Sequence, residues 1–132
     1  MTDEQEIEKV LGKLAETVSD LEVRAWIKNF HNPRLIVFPD TSYSPANENA
    51  CREVMEPYFQ DLRDRGFTHT VVNESQIRIL TDTTAIVHTS WTRYSGENPM
   101  ENIGATYMFQ KSANVWGVIM VTSYPSDAIR FK

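Results

Sequence analysis

The chain has 132 residues, of which 41% are hydrophobic and 23% charged, with a formal net charge of −5. That is one domain's worth of sequence, enough for one sizeable core and too little for two. The acidic balance argues against nucleic acid or an anionic membrane surface as partner, and no stretch approaches the roughly 18 apolar residues of a membrane span. The acidic start MTDEQEIEKVLGK does not fit a secretory signal peptide. A lone cysteine, Cys51, cannot close an internal disulfide, so a reducing cytoplasm is the expected compartment.

Helical spacing dominates residues 2–66. Thr2 and Gln5 stand in capping-box spacing, and Ile7, Val10, Leu11, Leu14 and Val18 then recur on one helical face. Ser19 and Glu22 repeat the capping pattern and predict a second helix, with Val23, Trp26, Ile27 and Phe30 on its buried side and Pro33 at its end. Arg34 to Asp40 (RLIVFPD) is a short apolar run that predicts a strand, with Pro39 at its edge or end. Residues 41–47 predict a loop. A third helix follows, with Cys51, Val54, Met55, Tyr58, Phe59 and Leu62 on one face and Gly66 just past its end. Pro57 predicts a kink there, or two short helices meeting at 56–57.

From Phe67 onward the pattern is β. Strands are expected near 68–80, 84–95, 102–111 and 115–124, joined by turns at 81–83, 95–99 and 112–114. The connections are too short for helical crossovers, so these neighbours are antiparallel. Ile103, Ala105, Tyr107 and Phe109 share one face. Regular alternation puts Trp116, Val118, Met120, Thr122 and Tyr124 on one face of the last strand and Val115, Ile119 and Val121 on the other. Both faces of that strand want cover. Helices can cover one. Curvature around a cavity, or a second copy of the chain, must cover the other.

This order of elements resembles the nuclear transport factor 2-like superfamily, which includes ketosteroid isomerase and polyketide cyclase-like proteins. The likeness is carried by Trp26…Phe30 before RLIVFPD, by TDTTAIV at 81–87, by FQKSANVWGV at 109–118, and by Ser123 near the end of the last strand. It implies an α+β fold, a cone-shaped curved antiparallel sheet packed on three helices from the first half of the chain, in one domain over residues 1–132. It also implies a pocket between helices and sheet and a homodimer formed through the sheet. Ketosteroid isomerase carries an Asp base where Phe38 stands here, a protonated Asp where Ala105 stands, and a first-helix Tyr where residues 3–19 hold none. The isomerase machinery is therefore not reproduced.

Two residues are candidate acid/base groups. Asp40, at the mouth of an apolar pocket, is either a displaced general base or a loop-start residue capping a turn. His88, in the middle of a strand, is either an acid/base or carbonyl-orienting group, or else a hydrogen-bonded sheet histidine or one at a dimer interface. Ser90, Thr92 and Tyr94 share its face, and Thr89, Trp91 and Arg93 take the other; which face is concave stays open. Trp26, Phe38, Met55, Tyr58, Trp91, Tyr107 and Met120 are candidates to line a pocket for a small hydrophobic ligand. Arg93 could hold a carboxylate or enolate there, or instead bridge to Glu97 or Glu101. His31, His69, His88 and Cys51 lack metal-ligand spacing, and no glycine-rich phosphate loop is present, so no metal or cofactor is expected. Two functions remain: a small-molecule binder or cofactor-free isomerase, dehydratase or cyclase with Tyr107 or Arg93 stabilising negative charge, and a non-catalytic dimeric interaction module.

Overall fold

Thr2 opens the first helix, α1 (Asp3–Ser19), by a reciprocal cap: its hydroxyl accepts from the Gln5 amide, and the Gln5 side chain accepts from the Thr2 amide. In the computed structural model, which describes residues 1–126, Ile7, Leu11 and Leu14 form the buried stripe of this helix. Asp3 then fastens its first turn to the far end of the chain, accepting from the Trp116 indole at 3.0 Å and pairing with Lys111 at 2.9 Å. Both partners hold the Asp3 carboxyl below the usual range, the Trp116 hydrogen bond foremost.

The second helix is shorter than its apolar spacing predicts. α2 (Val23–Ile27) stops before Phe30, because Phe30 pairs with Val118 and opens the first strand, β1 (Phe30–Val37). Ser19 does not cap α2; its hydroxyl accepts from the Thr70 amide and docks the end of α1 on the sheet. β1 ends at Val37, and a Phe38 amide to Thr41 carbonyl bond of 2.7 Å turns the chain into a two-residue strand, β2 (Ser42–Tyr43), inside the expected loop.

α3 (Glu48–Asp64) is one helix despite Pro57. Pro57 and Glu53 both face solvent, so water can satisfy the carbonyl that the proline leaves. Gly66, at φ +79°, ends the helix: its amide bonds to the Arg63 carbonyl and that of Phe67 to Leu62, the pairing that closes a helix through a left-handed residue.

The remaining strands are β3 (His69–Thr81), β4 (Thr84–Ser95), β5 (Asn98–Ser112) and β6 (Val115–Pro125), in a six-stranded sheet of order β2-β1-β6-β5-β4-β3. β3 to β6 are antiparallel neighbours, whereas β1 joins β6 in parallel. β5 starts earlier than predicted, because Gly96 in the left-handed region closes a two-residue turn and lets Asn98 pair with Ser95.

One irregularity decides the two faces. Met108 pairs with Met120 but Phe109 with Val118, so Ile119 is an extra residue in β6. This bulge resets the alternation. Trp116 and Val118 face the helices, but so do Val121 and Ser123, while Met120, Thr122 and Tyr124 point away. The single face expected for Trp116 to Tyr124 is therefore two. On the helix side, Ile36, Val121, Tyr107, Val87 and Ile77 lie in register across five strands. On the other side the same construction aligns Leu35, Met120, Met108, Ile86 and Arg78. The chain is thus an α+β protein in which three helices cover one face of a curved sheet.

Candidate functional site

A cavity of about 250 Å³ lies between α3, the end of β1 and the inner face of the sheet. Its apolar walls follow from the periodicities already described. α3 supplies Met55, Tyr58, Phe59 and Leu62 at helical spacing, α2 supplies Trp26, and alternate residues of β4 and β5 supply Trp91, Ile103, Ala105 and Tyr107. Trp26 packs edge-on against Phe59 at a centroid distance of 5.8 Å. At the β1 end, Phe38 stacks on Tyr58 at 4.2 Å, with Tyr43 edge-on beyond it. Aromatic side chains thus form both the floor and one end.

The opposite end is charged. Arg65, one residue past the last turn of α3, and Arg93 on β4 both line the cavity. Both guanidinium groups donate to the same oxygen of Glu101, Arg93 at 2.7 Å and Arg65 at 3.0 Å. Arg65 also pairs with Asp61, one helical turn back, at 3.0 Å. The Arg65 hydrogen bond, then that of Arg93, holds the Glu101 carboxyl below the ordinary glutamate range against the opposing effect of burial. Tyr107 rises from the floor toward this end. Burial pushes its phenol well above the usual range, and the Arg93 charge and a Thr89 hydrogen bond only partly offset that. Thr89 is itself buried, taking the Trp91 indole hydrogen and donating to the Ala105 carbonyl at 2.8 Å.

Of the residues singled out from the sequence, Trp26, Phe38, Met55, Tyr58, Trp91, Arg93 and Tyr107 meet around this cavity. Met120 does not: the bulge at Ile119 turns it to the opposite face, beside Met108. Asp40 is exposed outside the aromatic end, because the strand stops at Val37 and no longer carries it inward. Its charge is felt at Tyr58, whose phenol is raised first by burial and then by Tyr43 and Asp40. His88 also lies on the outer face, with Nδ1 2.9 Å from the Thr106 hydroxyl, which in turn meets the Tyr124 hydroxyl at 2.5 Å. Trp116 is buried against Asp3, away from the cavity.

Among the polar residues of the wall, Asp61, Arg65, Thr70 and Ser123 were not expected there. Arg65 and Asp61 continue the spacing of Tyr58 and Leu62 along α3, so extending that stripe past the last apolar residue finds them. Ser123 reaches the cavity only because of the bulge, which leaves no mark in the alternation.

Residues 4–126 match the family described as NTF2-like protein (DUF6841). The chain belongs to this NTF2-like family. Solved structures give the same fold. An NTF2-like protein of unknown function from Shewanella oneidensis superposes with a TM-score of 0.73 at 14% identity, over 92% of this chain and 98% of that one. A cystatin-like protein of unknown function from Nostoc punctiforme gives 0.74 at 14% identity, over 94% and 92%. An NTF2-like protein with a cystatin-like fold from Novosphingobium aromaticivorans gives 0.77 at 11% identity, over 96% and 84%. A comparison with curated proteins gives no match.

Within this NTF2-like fold, one buried charge stands apart from the cavity. Arg34, on the inner side of β1, is 3% exposed. It donates to Asn32 Oδ1 at 2.6 Å, while its Nε and Nη1 find no partner among the described residues. The Cys51 thiol lies beside it; burial pushes that thiol up and Arg34 pulls it back in part. Arg34 does not line the cavity. Among the described residues, no three His, Cys, Asp or Glu side chains converge as a metal site, and no helix is long and apolar enough to cross a membrane.

Proposed function

We propose that this NTF2-like protein binds a small, largely apolar molecule in the cavity between α3 and the sheet. The observation that carries this reading is the wall itself: aromatic and aliphatic side chains on most sides, with polar groups gathered at one end. A volume of about 250 Å³ limits the occupant. An engineered apolar cavity of about 150 Å³ takes benzene, and sites for drug-sized ligands run from roughly 300 Å³ upward. One or two fused rings fit that interval.

Binding is favoured over proton-transfer catalysis. Among the described residues Asp61 is the one carboxylate on the wall, and Arg65 holds it. His88 and Asp40, the candidate bases, lie outside. A cofactor-free isomerase, dehydratase or cyclase would need a base that the bound molecule itself, or a rearrangement of the wall, would have to supply.

The same reading includes a homodimer through the outer face of the sheet, in a reducing cytoplasm. Leu35, Met120, Met108 and Ile86 align there across four strands, and Leu35 is 39% exposed. Such a row suits contact with its own copy.

The test of the binding reading is thermal unfolding with the neutral two-ring compound 2-naphthol. The midpoint should rise with concentration in the wild type and should not move in Ala105→Phe, where the added ring occupies the cavity. Equal shifts in both, with Ala105→Phe folded, would place the compound elsewhere and refute the assignment.

A further inference from the structure

The polar groups on the cavity wall are unequal in kind. Among the described residues Asp61 is the sole carboxylate on the wall, and its Oδ2 is engaged by Arg65. The Thr70 hydroxyl spends its hydrogen on the Thr92 carbonyl. What remains toward the cavity is the guanidinium groups of Arg93 and Arg65 and the hydroxyl of Ser123. Arg93 uses one nitrogen, Nη1, on Glu101; its other nitrogens have no protein partner among the described residues. Among the described residues the wall therefore carries two guanidinium donors against one carboxylate, Asp61, that is already paired.

The charge balance points the same way. Glu101 is one carboxylate shared by two guanidinium groups through a single oxygen. The second acid, Asp61, has a side chain 63% exposed and sits on Arg65, so water screens most of its effect. Arg93, with a side chain only 23% exposed, is left with half a counterion. The structure also shows what fits between the two guanidinium forks, since a carboxylate already stands there.

We infer that the ligand is a small aromatic or alicyclic monocarboxylate, its rings against Trp26 and Trp91 and its carboxylate on Arg93, with Glu101 as the internal competitor for the same arginine. This rests on the cavity being the binding site. The carboxylate would accept from the free Arg93 nitrogens, and the Ser123 hydroxyl on the same wall would donate a further bond. Planar guanidinium favours a planar, singly charged acceptor, and the volume leaves no room for a large polyanion beside two rings.

Isothermal titration with 2-naphthoate and with its uncharged amide, 2-naphthamide, separates this claim from the one beneath it. In the wild type the carboxylate should bind at least tenfold more tightly. Arg93→Gln should reduce that preference to threefold or less while leaving the amide's affinity within twofold. Glu101→Gln, which removes the competitor, should raise the carboxylate's affinity, a gain that a merely structural role for Glu101 would not produce. Equal affinity of the two compounds in the wild type would overturn the carboxylate assignment and leave the apolar cavity standing. Heat from neither compound would overturn both. The wild-type comparison needs no variant, so a misfolded Arg93→Gln does not shelter the claim.

Discussion

The two faces of the sheet are built from the same strands and carry opposite duties. On the inner face, Phe109 and Val118 are fully buried and Tyr107 nearly so, under three helices and around the cavity. One residue away in each strand, Met108 and Met120 meet on the outer face and stay partly exposed. Polar residues follow the same division. The inner face concentrates charge at one end of the cavity, in Arg65, Arg93 and Glu101, whereas the outer face carries the hydrogen-bonded chain His88, Thr106 and Tyr124. A single extra residue, Ile119, keeps the inner row continuous from Val118 to Val121. Face, more than residue type, decides what a side chain does here.

The largest expected break in this comparison comes from adjacent truncations in β5. Phe109→Ala should cost about 3–5 kcal/mol, since it empties a core position. Met108→Ala should cost about 1 kcal/mol or less in the monomer. Urea unfolding measures both, and equal losses would mean that the faces are not distinct. Next is Arg34, the inner-face charge without a full set of partners. Arg34→Met should stabilise the fold by about 1–2 kcal/mol, since it removes a desolvated cation whose Nε and Nη1 have no partner among the described residues; a loss of stability would show that the charge is compensated.

A subtler effect is expected from Glu101. Its carboxyl is held down in the folded state, so the unfolded chain takes up the proton first as pH falls. Its contribution is fully present above the ordinary glutamate range, about pH 4–5, and is lost as pH falls through the lower folded value. Glu101→Gln should flatten that part of the stability profile against the wild type. On the outer face, Met120→Glu should leave the unfolding midpoint nearly unchanged at low protein concentration and shift the mass seen by light scattering from dimer to monomer. A wild type that is monomeric at micromolar concentration would end the dimer proposal.

Much of this was legible in the sequence. Helical spacing marked the α1 and α3 stripes, and capping chemistry marked Thr2 and Gly66, because those signals are local. Seven of the eight expected lining residues meet at the cavity, six of them on a helix or a strand, where period sets direction, and Phe38 just past the end of β1. Most of the misses share one cause: pairing with a distant partner. Phe30 left the helix pattern for β1 because Val118 was waiting for it, and Ser19 gave its cap to Thr70. Met120 and Ser123 exchanged faces at a bulge that exists only where β6 meets β5. Asp40 lost its place on the strand once Phe38 turned back on Thr41.

The three tryptophans offer the most direct test of the central claim, that the inner cavity is the binding site. Trp26 and Trp91 line it, and Trp116 is held by Asp3 outside it. In an amide-correlation spectrum recorded during titration with 2-naphthoate, the indole signals of Trp26 and Trp91 should move together while that of Trp116 stays in place. Three stationary signals, or a shift confined to Trp116, would contradict the account.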